Sequence, residues 1–171
     1  IKLIVNKKIK GIPSKKTLKV KNTLSCLNDL SKQIRSNSNA KIIGITGSAG
    51  KTTLKNLLSF ALKNYGKTHY SPLSYNNRFG VPISVSNLKS DTEFGVFELG
   101  MDKKGEINNL SKIVRPEIGV ITNISGAHFK NFRTLKDIAK AKSEIIDNIV
   151  DGGSVVLNRD NNFYNFLSKK A

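Results

Sequence analysis

From Lys41 onward, five short apolar runs alternate with amphipathic stretches, and few folds accept that order. The runs 41–46, 67–70, 94–98, 118–122 and 154–158 read as strands. Between them, 52–65, 81–88, 106–114 and 135–150 read as helices, with a further short helix over 161–167. Short strands separated by helices require crossover connections, so the expected architecture is α/β: a mostly parallel sheet of the phosphate-loop type, with helices on both faces. Such sheets bind ligands beyond the carboxyl ends of their strands, which directs attention to the residues that follow each run.

The first forty residues differ. Residues 1–5 and 17–20 read as short strands around a turn at Gly11-Ile12-Pro13-Ser14. Asn22 suits the N-cap of a helix over 23–35, whose core-facing stripe is Leu24, Leu27, Leu30 or Ser31, and Ile34. Ser36-Asn37-Ser38-Asn39 then reads as a linker.

The net charge of +17 invites a nucleic-acid reading, but its make-up argues against one. Lysine outnumbers arginine 24 to 5, whereas readers of phosphate and base edges favour the planar guanidinium fork. Lys, Asn and Ile make up 61 of the 171 residues, as expected of an AT-rich coding sequence that drifts surface positions toward Lys and Asn. The single cysteine, Cys26, excludes a disulfide framework and a multi-cysteine metal site, and cytoplasmic residence follows as the default. No apolar run approaches a membrane span, the first residues do not resemble a signal peptide, and the lack of an initial Met implies a non-native start.

After the 41–46 strand comes Gly47-Ser48-Ala49-Gly50-Lys51-Thr52-Thr53 and then a helix. Glycines let the backbone wrap so that its N–H groups point at phosphate oxygens, and the helix N-terminus adds partial positive charge. Lys51 suits the β/γ-phosphates and the Thr52 hydroxyl suits Mg²⁺. The spacing is T-G-x-x-G-K-T-T rather than the strict G-x-x-x-x-G-K-[ST]. The 71–82 connection is long for a βα loop, and its Asn76, Asn77 and Arg78 fit either a polar substrate or a surface turn. Glu98 closes an apolar strand, where a carboxylate needs a cation or solvent exposure. His128 follows the 118–122 strand. Lys140 and Lys142 by themselves read as a solvated helix face.

Together these residues resemble the Mur ligases. Thr46-Gly47-Ser48-Ala49-Gly50-Lys51-Thr52-Thr53 is similar to that family's T-G-x-x-G-K-T loop. Further likeness lies in Tyr75-Asn76-Asn77-Arg78-Phe79-Gly80-Val81-Pro82, Glu98-Leu99-Gly100-Met101, Gly105-Glu106-Ile107, Arg115-Pro116-Glu117, Asn123-Ile124-Ser125-Gly126-Ala127-His128 and Ala139-Lys140-Ala141-Lys142-Ser143-Glu144-Ile145. The Asn76–Pro82 stretch and Gly105-Glu106-Ile107 are most similar to the members that join D-Ala-D-Ala to UDP-N-acetylmuramoyl-tripeptide. Ser74 departs from them, standing where those members often carry a further Asn.

The resemblance implies an ATP- and Mg²⁺-dependent ligase that forms a C–N bond through an acyl phosphate in peptidoglycan precursor synthesis. It implies that Thr46, Gly47, Ser48, Ala49, Gly50, Lys51, Thr52 and Thr53 hold ATP. Thr52, Glu98, His128 and a carbamylated Lys142 would serve the metal, with Lys51, His128 and Lys142 catalytic. Asn76, Asn77 and Arg78 would face the muramoyl-peptide. It also implies that residues 1–36 are the end of a substrate-binding domain with its connecting helix, and that 37–171 are the first part of the central ATPase domain. A chain of that kind is an incomplete copy, inactive alone, from an enzyme that is monomeric when whole, outside the membrane and without a nucleic-acid partner. The rival readings are a sister ligase, either another Mur ligase or a folylpolyglutamate synthase, and a non-catalytic basic phosphate-loop protein that binds ATP or nucleic acid.

Overall fold

The computed structural model describes residues 3–126 and 131–171. They contain a parallel five-stranded sheet in the order β4-β5-β3-β6-β7, formed by β3 (Lys41–Thr46), β4 (Thr68–Tyr70), β5 (Phe94–Glu98), β6 (Ile118–Ile121) and β7 (Ser154–Leu157). β3 lies at the centre and pairs with β5 and β6, with Ile45 opposite Glu98 and Thr46 opposite Ile121. The three segments that follow these strands therefore meet at one edge of the sheet.

Alternation along β3 sends its side chains to two cores. Ile43 and Ile45 pack with Val96 and Val120 under α2 (Lys51–Leu62), which contributes Leu54, Leu58 and Leu62. Ile42 faces the larger core built by α3 (Gly80–Ser86), α4 (Glu106–Val114) and α5 (Leu135–Lys142). Both faces are covered, as the near-continuous apolar strands require.

Two sequence expectations are corrected. The helix expected over 135–150 is α-helical only to Lys142 and continues as a 3-10 segment, Ser143–Asn148. The tighter winding aims side chains at α4. The Glu144 carboxylate accepts from the Gly105 and Asn108 N–H groups, capping the start of that helix, and Asn148 reaches Asn108 and Ser111. The last helix, α6 (Tyr164–Ser168), begins later than expected, because Asn161 turns the chain by accepting from the Phe163 N–H while donating to the Ile124 carbonyl.

The N-terminal part makes its own small parallel sheet from β1 (Leu3–Val5) and β2 (Thr17–Lys19). Asn22 caps α1 (Thr23–Ser36) as expected, accepting from the Ser25 N–H at 3.0 Å. The stripe of α1 lies where expected, with Leu24, Leu27 and Ile34 half-buried and Ser31 rather than Leu30 between them, and Arg35 joins it. Its buried residues are Ser31 and Arg35, and Leu30 is exposed. Ser31 bonds to the Pro82 carbonyl. Arg35 donates to the Val114 and Arg115 carbonyls at the end of α4 and to Glu117 at 2.7 Å, and Glu117 in turn accepts from the Ile42 N–H. A guanidinium on the carbonyl end of a helix is favoured by the helix dipole and satisfies orphan acceptors.

Arg35→Met is expected to destabilise the chain by about 3 kcal/mol in urea unfolding, because it strands two carbonyls and a half-buried carboxylate. A loss below about 0.5 kcal/mol would mean that α1 is not anchored through this residue.

Candidate active site

The loop after β3 is held open by its glycines. Gly47 has φ 148°, and a Cβ there would lie 1.8 Å from the Thr122 Oγ1, so no other residue fits. Gly50 stands at the N-cap of α2 with φ 79° and supplies no side chain to the helix start, and the first turn of α2 holds no acid. The uncapped helix end therefore offers its N–H groups and its positive end to an anion.

Residues after β6 brace this loop. Asn123 accepts from the Ser48 N–H through its carbonyl and from the Ala49 N–H through Oδ1, at 3.0 and 2.9 Å. Ser48 and Ser125 bond to each other through side chain and backbone, and Thr122 Oγ1 donates to the Ala49 carbonyl at 2.6 Å. The sequence reading gave Thr122, Asn123 and Ser125 no part in the site. The available signal was a run of polar residues directly after an apolar strand.

Two lysines converge on one oxygen. Lys51 Nζ and Lys142 Nζ each donate to the Gly47 carbonyl at 2.9 Å, although they stand 91 positions apart in the chain. Lys142 is 1% exposed, whereas Lys140 faces solvent. Burial, and then the charge of Lys51, lower the Lys142 pKa from 10.5 to about 7.

Beside them Glu98 is 1% exposed at the end of β5. It accepts from Thr52 Oγ1 at 2.7 Å and from Asn76 Nδ2 at 2.8 Å. Thr46 is buried just before the loop, with its hydroxyl unpartnered. A carboxylate and a hydroxyl side by side at a phosphate-binding helix end suit a hard cation that takes most of its oxygens from phosphate and water. Among the described residues no group of three or more His, Cys, Asp or Glu gathers. His128 lies outside the described residues.

A cavity of about 690 Å³ opens next to Lys51. Asn76, Asn77, Arg78, Lys103, Glu106 and Asn109 are among the residues that line it. Asn77 also caps the start of α3, its Oδ1 accepting from the Phe79 and Gly80 N–H groups, so part of its role is to shape the turn. The Arg78 guanidinium lies 4.9 Å from the Phe79 ring centre. Glu106 accepts from the Asp102 and Lys103 N–H groups and shapes the loop before α4. Thr53 is exposed on α2. Thus Lys51, Thr52, Glu98, Lys142 and Asn76 are brought together around the Gly47–Gly50 loop, with Asn77 and Arg78 at the rim of the adjoining cavity.

The Mur ligase middle domain matches residues 45–171. This chain belongs to the Mur ligase family. As a Mur ligase it is 39% identical over 163 residues to the UDP-N-acetylmuramoyl-tripeptide–D-alanyl-D-alanine ligase of Rickettsia prowazekii (strain Madrid E), covering 95% of this chain and 36% of that protein. MurF from Acinetobacter baumannii superposes with a TM-score of 0.90 at 33% identity, covering 98% of this chain and 37% of that one. The MurF ligase of Thermotoga maritima, solved in complex with ADP, gives a TM-score of 0.85 at 30% identity, covering 97% and 38%. The chain thus spans about a third of the length of the Mur ligases it matches.

Proposed function

We propose that this chain is the nucleotide-binding part of a ligase that joins D-Ala-D-Ala to UDP-N-acetylmuramoyl-tripeptide during peptidoglycan precursor synthesis. The observation that carries the reading is the cluster of Lys51, Thr52, Glu98 and Lys142 around an uncapped helix end, beside a polar cavity. The names of its relatives and the ADP complex of the Thermotoga maritima MurF supply the reaction and the nucleotide.

Mg²⁺-bound ATP would supply the phosphoryl group that turns the peptide carboxylate into an acyl phosphate, which the dipeptide amine then attacks. Thr46 to Thr53 hold the phosphates, chiefly through backbone N–H groups. Thr52 and Glu98 would hold the metal together with His128. Lys51 lies against the loop, where it offsets the charge of the transferred group. Asn76 orients Glu98, and Asn77 and Arg78 receive the muramoyl-peptide from the cavity side.

Lys142 is read as a carbamate. Its ammonium first loses a proton, and the neutral Nζ then bonds to the carbon of CO₂ and releases a second, so a cation that repels Lys51 becomes an anion that attracts it. Residues 1–36 are read as the end of the preceding substrate domain, and 37–171 as the first part of the ATPase domain. We read the whole enzyme as cytoplasmic and monomeric. Among the described residues no helix is long and apolar enough to cross a membrane.

The test is phosphate release by the protein completed to its relatives' length, given Mg-ATP and UDP-N-acetylmuramoyl-tripeptide. D-Ala-D-Ala is compared with single amino acids and with folate plus glutamate. Release with the dipeptide alone is the expected result. Release with folate and glutamate, or with none of the amines, would overturn the substrate assignment. The 171-residue chain by itself is expected to bind Mg-ATP and to yield no dipeptide-dependent ADP.

A further inference from the structure

Helix α2 carries a second lysine, Lys55, on the face that bears Lys51 and Thr52. Lys55 follows them by four and three positions, so all three project toward the carboxyl edge of the sheet. Lys55 is 1% exposed. Its Nζ donates to the carbonyl of Leu73, in the long connection between β4 and α3. Burial lowers its pKa, and the Glu98 carboxylate works in the opposite direction.

The connection it holds is strained and carries the substrate-facing residues. Leu73 has φ 46°, a left-handed conformation that a leucine adopts only under constraint, and its side chain is 80% exposed, so packing of that side chain does not supply the constraint. Three positions later Asn76 donates to Glu98, and its carbonyl accepts from the Gly100 N–H at 2.7 Å. A neutral donor would satisfy the Leu73 carbonyl at lower desolvation cost. A buried ammonium on this carbonyl is offset by the nearby Glu98, which ties the charge balance of the site to the loop.

We propose that Lys55 is a positioning residue that couples the 71–79 loop to the phosphate-binding helix, so that Asn76, Asn77 and Arg78 keep their place relative to Lys51 and Thr52. The coupling stands on the contacts described. Only its consequence for the muramoyl-peptide rests on the proposed function.

Hydrogen exchange is to be followed in the 171-residue chain for wild type, Lys55→Met and Lys55→Gln. In Lys55→Met, amides in 71–79 are expected to exchange about tenfold faster or more while the strands and α4 stay unchanged. Lys55→Gln, which retains a shorter neutral donor, is expected to lie between. In the completed ligase, Lys55→Met is expected to raise the KM for the tripeptide substrate about tenfold, with the KM for ATP within about threefold. Unchanged exchange at 71–79 would overturn the proposal. So would uniform acceleration across the chain, or an equal rise in both KM values, since those mark a general packing role. If Lys55→Met does not fold, the Lys55→Gln exchange and KM values decide. If the completed wild type does not act on the tripeptide, the proposed function fails and the exchange pattern alone decides the role of Lys55.

Discussion

Lys51→Ala in the completed ligase is expected to lower dipeptide-dependent phosphate release about a thousandfold, the effect of removing a preorganised charge from a phosphoryl-transfer site. The ammonium rests on the Gly47 carbonyl at 2.9 Å, already placed beside the uncapped start of α2. The fold loses little, because Lys51 is only partly buried and its carbonyl partner retains Lys142. The 171-residue variant is therefore expected to unfold within about 1 kcal/mol of wild type while its Mg-ATP affinity drops. Calorimetric titration and urea unfolding on the same sample separate the two effects. Retained affinity and turnover would remove Lys51 from the site. The same substitution has an internal control. Since Lys51 is one of the two causes that lower the Lys142 pKa, the Lys142 pKa should rise in Lys51→Ala.

Lys142→Met is expected to act in opposite directions on stability and on activity. The Lys142 pKa is about 7 in the folded chain, against an ordinary value of 10.5. Between those values the unfolded chain binds the proton and the folded chain does not, so unfolding free energy rises with pH across that window. Below pH 7 both states are protonated and the full cost of the buried charge is present. Methionine removes this cost, so in CO₂-free buffer at pH 6 Lys142→Met should be more stable than wild type by up to roughly 5 kcal/mol. The gain should shrink toward zero near pH 10.5. The completed ligase should at the same time lose its activity, and a ¹³C-bicarbonate-derived carbamate resonance seen in wild type should be absent. A variant destabilised at pH 6 would show that the bond to Gly47 outweighs the burial cost. A fully active variant would exclude Lys142 from the chemistry.

The legible part of this protein was the part written in local pattern. The bounds of β3, β5 and α4 agree with the runs read from sequence, because apolar strands and an amphipathic helix repeat with periods that a single chain displays. The phosphate loop was legible for the same reason, since its glycines and Lys51 are neighbours in sequence and act as neighbours. The 3-10 segment at Ser143–Asn148 was not legible, because its tighter winding answers to α4, nearly forty residues away. Arg35 was missed because a charged residue on a helix reads as solvated, and only the carbonyls at the end of α4 give it a reason to be buried.

The sequence alone determined the alternating strands and helices, the place of the phosphate loop among them, and the family it resembles. Each of these follows from residues within one turn or one strand of each other. Tertiary structure alone decided that Lys142 is buried and shares the Gly47 carbonyl with Lys51, that Asn76 and Thr52 meet on Glu98, and that Lys55 holds the loop at Leu73. Those contacts join segments that are distant along the chain. They exist because the parallel order of the sheet sets the ends of β3, β5 and β6 side by side, and because burial there obliges each polar group to find its partner across the site.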